Sequence, residues 1–259
     1  MAKIIVKTPE QIEGIRKSSI LAAQTLKFIG PHVKEGVSTA YLDNLIHQYM
    51  LDHHAIPATL NYRGYPKSCC ISLNEVVCHG IPGENILLRN GDILNVDVTT
   101  ILNGYFGDTS TMFTIGDVSD DAKALIGGTK KCLDIGIREC YPGNMTGNIG
   151  YKIGMFARQA GYGVVYEFCG HGVGLEFHEE PEIAHIAEKN AGKIMVPGMT
   201  FTVEPMINRG KARTIIDKKD SWTVRTIDGK LSAQFEHTIL ITPSGHEVLT
   251  DIDGEYPIT

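Results

Sequence analysis

The sequence predicts an α+β fold built from two similar halves. Three observations carry this: apolar stripes at helical spacing open each half, β-branched runs follow them, and short motifs recur at a fixed interval. Gly36-Val-Ser-Thr39 returns as Gly143-Asn-Met-Thr146, and Gly91-Asp-Ile-Leu-Asn-Val-Asp97 returns as Gly198-Met-Thr-Phe-Thr-Val-Glu204, both 107 residues on (36 to 143, 97 to 204). Asp108-Thr-Ser-Thr-Met-Phe-Thr-Ile-Gly116 has a partner in Glu236-His-Thr-Ile-Leu-Ile-Thr-Pro-Ser-Gly245, displaced by 128 residues (108 to 236). Shared order and interval point to half-repeats at about 1–117 and 118–259 within a single domain spanning 1–259.

The elements read in order. Thr8-Pro-Glu-Gln11 is a capping box with Pro9 at the first helical position, and Ile12, Ile15, Ala22, Leu26 and Ile29 follow at three-to-four spacing. Leu42, Leu45, Ile46, Tyr49 and Met50 form a second stripe. In the other half Ser119 caps one helix, and Ile149, Ile153, Phe156 and Ala160 mark another that Gly161 ends. Ile93 to Ile101 is rich in β-branched residues, and Asn103-Gly104 is a hairpin signal. A two-residue turn there sets Leu102 against Tyr105, hence Asp97 against Ser110, with Asp108 two positions along on the same face. Diagonal neighbours of that kind lie about 7–8 Å apart, close enough for their carboxylates to converge on one ion.

Composition narrows the class. The 259 residues are 42% hydrophobic and 21% charged, as in an ordinary soluble protein. The net charge of −6 lacks the basic excess that neutralises nucleic-acid phosphates, so DNA is not an expected partner. The start, Met1-Ala-Lys-Ile-Ile-Val-Lys7, is too short in apolar residues for a signal-peptide core, and no long apolar run suggests a membrane span, so a cytoplasmic location is expected. Six cysteines form no C-x-x-C pair, which excludes a zinc ribbon or a thioredoxin-type site and leaves reduced buried thiols.

Four carboxylates stand in strand-like, partly apolar surroundings. Asp97 lies between Val96 and Val98, Glu204 between Val203 and Pro205, Asp108 follows Gly107, and Glu236 follows Phe235. Gathered in one dry cleft they are untenable unless cations neutralise them, and two divalent ions match their charge. Such ions about 3.5–4 Å apart make a two-metal hydrolytic site. Cys169-Gly-His171-Gly-Val-Gly174-Leu-Glu-Phe-His178-Glu-Glu-Pro181 supplies imidazole on a glycine-rich segment. Carboxylates with one imidazole suit Mn, Fe(II), Co or Zn, and the sequence does not choose among them. A third informative histidine is His79, in Asn74-Glu-Val-Val-Cys-His79-Gly-Ile-Pro82. Taken singly, each of these is more often a cap, an ion-pair partner or a satisfied core histidine. Tyr62, Tyr65, Phe177 and Trp222 taken singly read equally well as core.

Together, in this order and spacing, these motifs resemble the type I methionine aminopeptidases over essentially the whole chain. The resemblance is to the compact bacterial-type core, without an N-terminal cysteine-rich extension or a long insert. It implies a pita-bread fold, two pseudo-two-fold halves with a curved antiparallel sheet covered by helices. It implies two divalent metal ions, with Asp97 on one, His171 and Glu204 on the other, and Asp108 and Glu236 bridging both. Glu204 would act as general base on a water shared by the ions, His178 would bond near the scissile carbonyl, and His79 would contact the peptide nitrogen. Tyr62, Tyr65, Cys70, Phe177 and Trp222 match the methionine pocket, while Thr59 departs from the cysteine of many bacterial members. The implied activity is removal of the initiator methionine from nascent chains whose second residue is small. A monomer and a ribosome contact are also implied, although no basic motif marks a ribosome surface. An X-Pro aminopeptidase or dipeptidase shares the fold and metals but usually carries a further N-terminal domain. A pita-bread interaction module typically lacks several ligands, and none is missing here.

His32, His47, His53, His54, His185 and His246 are expected at the surface or in packing, and His237, beside Glu236, on the opposite strand face. Gly170-His-Gly-Val-Gly174 lacks the ending of a phosphate loop.

Overall fold

A computed structural model describes residues 3–259. The first helix, α1 (Pro9–Ile29), starts at the expected capping box. The Thr8 hydroxyl accepts from Gln11 N–H, and the Gln11 side chain answers the Thr8 N–H. α2 (Thr39–Asp52) is capped by Ser38 and α3 (Asp120–Arg138) by Ser119, with Asp120 and Asp121 favourably placed in the first turn of α3. α4 (Thr146–Gln159) has no side-chain cap at its start. It closes on Gly161, whose φ of +76° lets Gly161 N–H reach Arg158 O and Tyr162 N–H reach Ala157 O.

The strands pair antiparallel throughout the described residues. The long hairpin joins Ile93–Leu102 to Tyr105–Thr114 through Asn103 and Gly104, both at positive φ. Its register is the expected one: Leu102 faces Tyr105, Asp97 faces Ser110 and Thr99 faces Asp108. Cys70–Leu73 and Ile56–Pro57 extend this sheet along the other edge of the Ile93–Leu102 strand. A five-stranded sheet runs in the order His246–Val248, His237–Ile241, Thr200–Val203, Gly170–Gly172, Glu179–Ile183. Two three-stranded sheets complete the chain.

The same local wiring occurs twice. Gly36 N–H donates to Leu88 O, as Gly143 N–H does to Met195 O. Leu88 N–H donates to Val37 O, as Met195 N–H does to Asn144 O, and Thr39 N–H to Ile86 O, as Thr146 N–H does to Lys193 O. Every partner is displaced by 107 residues (36 to 143, 88 to 195), and α2 and α4 are both 14 residues long. Each set of elements has its own apolar core. One cluster draws on Leu21, Ile29, Leu42, Ile46, Leu94 and Val96, the other on Leu125, Leu133, Ile149, Ile153, Phe201 and Ile239.

The two large sheets meet at a narrow seam. Glu236 N–H donates to Ser110 O at 3.1 Å and Ser110 N–H to Glu236 O at 3.4 Å. Side chains reinforce it: Thr109 Oγ1 donates to Glu236 O at 2.7 Å, Thr238 Oγ1 to Asp108 O at 2.7 Å, and Asn95 Nδ2 to Gln234 O at 2.8 Å. Beside the seam, Gly107 lets α1 lie directly on the strand, since a Cβ there would sit 2.3 Å from Ser19 N. Asp108 and Glu236 are therefore fixed on backbone that two sheets hold together.

Candidate metal centre

Asp97 and Asp108 project from the hairpin, Glu204 follows the strand Thr200–Val203, Glu236 precedes His237–Ile241, and His171 is the middle residue of Gly170–Gly172. These positions converge. One ligand atom each from Asp108, His171 and Glu236 lies within 4.8 Å of the others. His171 Nε2 stands 3.7 Å from Asp108 Oδ2 and 3.7 Å from Glu204 Oε1. Asp97 stands outside the tightest set but lines the same cavity, and its charge raises the pKa of Asp108, Glu204 and Glu236.

The electrostatics follow from crowding four acids where water is scarce. Burial pushes Asp97 up to about 7. Burial first, and then neighbouring carboxylates, hold Asp108, Glu204 and Glu236 well above the usual carboxylate range. Burial also pulls His171 down to about 4, leaving a neutral imidazole whose Nδ1 meets Gly172 O at 2.9 Å and whose Nε2 faces the acids. Among the described residues no Lys or Arg pairs with any of the four carboxylates. Hard oxygen donors, one neutral nitrogen and no built-in cation fit a divalent metal centre.

All twelve residues expected in the site line one cavity of about 540 Å³. His79 holds φ +56°, a left-handed conformation costly for a side chain with Cβ. Its ring is wedged edge-on between Phe168 (5.5 Å) and Trp222 (5.9 Å), and burial lowers its pKa to about 4. Gly80 makes that turn feasible, because a Cβ there would meet Ile71 O at 2.2 Å. His178 lies at the open side, stacked 5.2 Å from Tyr62 and 4.1 Å from the His171 ring. Phe177 packs 4.7 Å from Tyr62. Tyr65 is buried, gives its hydroxyl to Gly80 O and Cys69 O, and presents a ring edge to Trp222. Cys70 pairs with Asp97 across the sheet, and burial raises its thiol well above the usual range. Thr59 also lines the cavity.

Several supporting residues were not singled out from sequence. Thr99 Oγ1 donates to Asp108 Oδ1 at 2.7 Å, Thr202 Oγ1 to Glu204 Oε1 at 2.7 Å, and Gln234 Nε2 to Glu204 Oε2 at 3.2 Å. Each sits two positions from a ligand-type acid, so strand alternation alone places it on the acid's face. Buried His185 is the other: its Nε2 accepts from Glu204 N–H at 3.0 Å. His185 therefore falls on the packing side of its expectation, directly behind the site. His237 turns away, with Nδ1 2.8 Å from Thr250 Oγ1.

Fold and cavity together define a metal-dependent peptidase, with the α+β pita-bread architecture expected from sequence. The chain belongs to metallopeptidase family M24, whose sequence model matches residues 13–243. It is 49% identical over 248 residues to the methionine aminopeptidase of Escherichia coli K12, covering 95% of this chain and 94% of that one. It matches the crystal structure of methionine aminopeptidase from Rickettsia prowazekii with a TM-score of 0.94 and 48% identity, over 97% of this chain and all of that one. The prolidase of Pyrococcus furiosus, at 21% identity and a TM-score of 0.79, shares the fold, and the match spans 96% of this chain and 66% of that longer one. Among the described residues no helix is long and apolar enough to cross a membrane.

Proposed function

We propose that the chain is a methionyl aminopeptidase that removes the initiator methionine from chains whose second residue is small. The carrying observation is one cavity that joins a cation-free cluster of four buried acids and an imidazole to a wall of aromatic rings and thiols. Its relatives of similar length are methionine aminopeptidases, which supports the same reading.

In this reading the site holds two divalent ions, drawn from Co, Mn, Fe(II) or Zn. Asp97 holds one, His171 and Glu204 the other, and Asp108 and Glu236 both. When bound, the ions neutralise the acids and supply Lewis acidity at the scissile carbonyl. The protein does the rest. Glu204 accepts the proton of the attacking water, and the Thr202 and Gln234 donors keep its carboxylate aimed. His178, on the open side, hydrogen-bonds near the carbonyl oxygen, and His79 meets the peptide nitrogen that becomes the new amine. Tyr62, Tyr65, Cys70, Phe177 and Trp222 receive the methionine side chain, whose sulfur gains about 0.3–1.5 kcal/mol from each aromatic contact. We read the chain as a single domain of two half-repeats, about 1–117 and 118–259, a division that the twice-occurring hydrogen bonds support. Monomeric action on nascent chains in the cytoplasm completes the proposal.

The deciding experiment compares peptides. Metal-loaded protein is expected to release Met from Met-Ala-Ser and to leave Ala-Pro-Ala intact. The reverse preference would make it an X-Pro peptidase, and elemental analysis showing no bound metal after reconstitution would make it a binding protein.

A further inference from the structure

We propose that Lys7 is a positioning residue for the cavity wall that carries Phe177 and His178, acting through Glu179; this rests on the peptidase reading above. Lys7 precedes α1, yet its side chain is only 1% exposed and is ion-paired to Glu179, itself 3% exposed. The segment around it is fastened to the second half of the molecule. Ile4 packs on that half's apolar cluster, and Lys7 N–H donates to Gly198 O at 2.9 Å.

Glu179 divides its two oxygens. Oε2 meets the Lys7 ammonium, and Oε1 accepts from Leu175 N–H at 2.7 Å and Glu176 N–H at 2.9 Å. Those two amides begin the short turn that presents Phe177 and His178 to the cavity. A carboxylate grips two amides more strongly than a neutral oxygen does, but a buried carboxylate needs a cation beside it. Lys7 is that cation. Its own burial is unfavourable and pulls its pKa down, so its place in the interior is explained by what it neutralises. Lys7 itself does not line the cavity. Its effect on catalysis passes through the geometry of the turn.

Three variants of the metal-loaded, full-length protein test this: Lys7→Met, Lys7→Arg and the double variant Lys7→Met/Glu179→Gln. Lys7→Met is expected to lower kcat/KM for Met-Ala-Ser about tenfold or more with metal content unchanged, since small misplacements of positioning groups cost up to ~10²-fold. Exchange of the Leu175 and Glu176 amides should quicken at least about tenfold, while the helices keep their protection. The double variant should regain most of the loss, because a neutral amide still accepts from both N–H groups and needs no cation. Lys7→Arg, which keeps the charge, should lie nearer the wild type than Lys7→Met. A lower Tm with unchanged kcat, KM and amide protection would overturn the proposal, as would losses that simply add in the double variant. If Lys7→Met does not fold, the double variant decides: recovery of fold and activity supports the role, and failure overturns it. If the wild type cleaves no methionyl peptide, the peptidase reading falls, and the exchange of the two amides alone decides whether Lys7 holds the turn.

Discussion

Glu204 receives more support than any other acid of the site: Thr202 and Gln234 hold its carboxylate, and His185 holds its backbone N–H. Glu204→Gln removes the base and an anionic ligand together, so kcat should fall about 10²-fold or more in steady-state assays. His178→Ala should lose less and keep its full metal complement by elemental analysis; equal metal loss in both variants would contradict the division of roles. Thr202 links two ligand-type residues, accepting from His171 N–H at 3.0 Å while donating to Glu204. Thr202→Val should therefore weaken metal affinity about 10–100-fold in a competition titration. At this scale the acids and histidines were legible from motif order, and the threonines and Gln234 from period-two spacing that had not been applied to them. His185 was not, because its contact is with a backbone N–H in another strand and leaves no mark in sequence.

At the scale of elements, the hairpin around Asn103-Gly104 was legible to the residue, since turn length dictates register. α1, α2 and α3 were legible through their caps. The two- and three-residue strands, such as Gly163–Val164 and Thr214–Ile216, were not, because so short a run carries no periodicity. Close approaches are equally silent until the fold is known. Gly107→Ala would push a methyl into the backbone of α1, and overpacking of this kind costs about 1–3 kcal/mol. The expected result is a lower Tm together with weakened metal binding, since Asp108 is the next residue; a lower Tm alone would show that the strand absorbs the shift.

For the whole molecule, the charge balance of the centre couples folding to pH and metal. The four acids have raised folded pKa values, so their contribution is present below the unfolded carboxylate range and is lost as pH rises through the folded values, about 7 for Asp97. His185 and His237 work oppositely. Burial depresses them to about 3 and about 4, so their contribution is present above the unfolded imidazole pKa and is lost as pH falls through those values. Metal-free protein should thus lose Tm as pH rises from about 5 to 8, metal-loaded protein should not, and binding should release protons measurable by calorimetry in buffers of different ionisation enthalpy. A pH-independent metal effect on Tm would contradict this. The halved organisation was legible from the recurring motifs. The seam was not, because a contact between distant strands has no signature in either stretch of chain.

The seam has a consequence for how this polypeptide tolerates length changes. Side chains alternate across a strand, so one extra residue inserted between Gln234 and Glu236 would turn the acid away from the cavity while leaving each apolar core intact. The lesion would be a protein that still folds but cannot hold its ions. Indel tolerance here should be governed by odd and even counts rather than by burial.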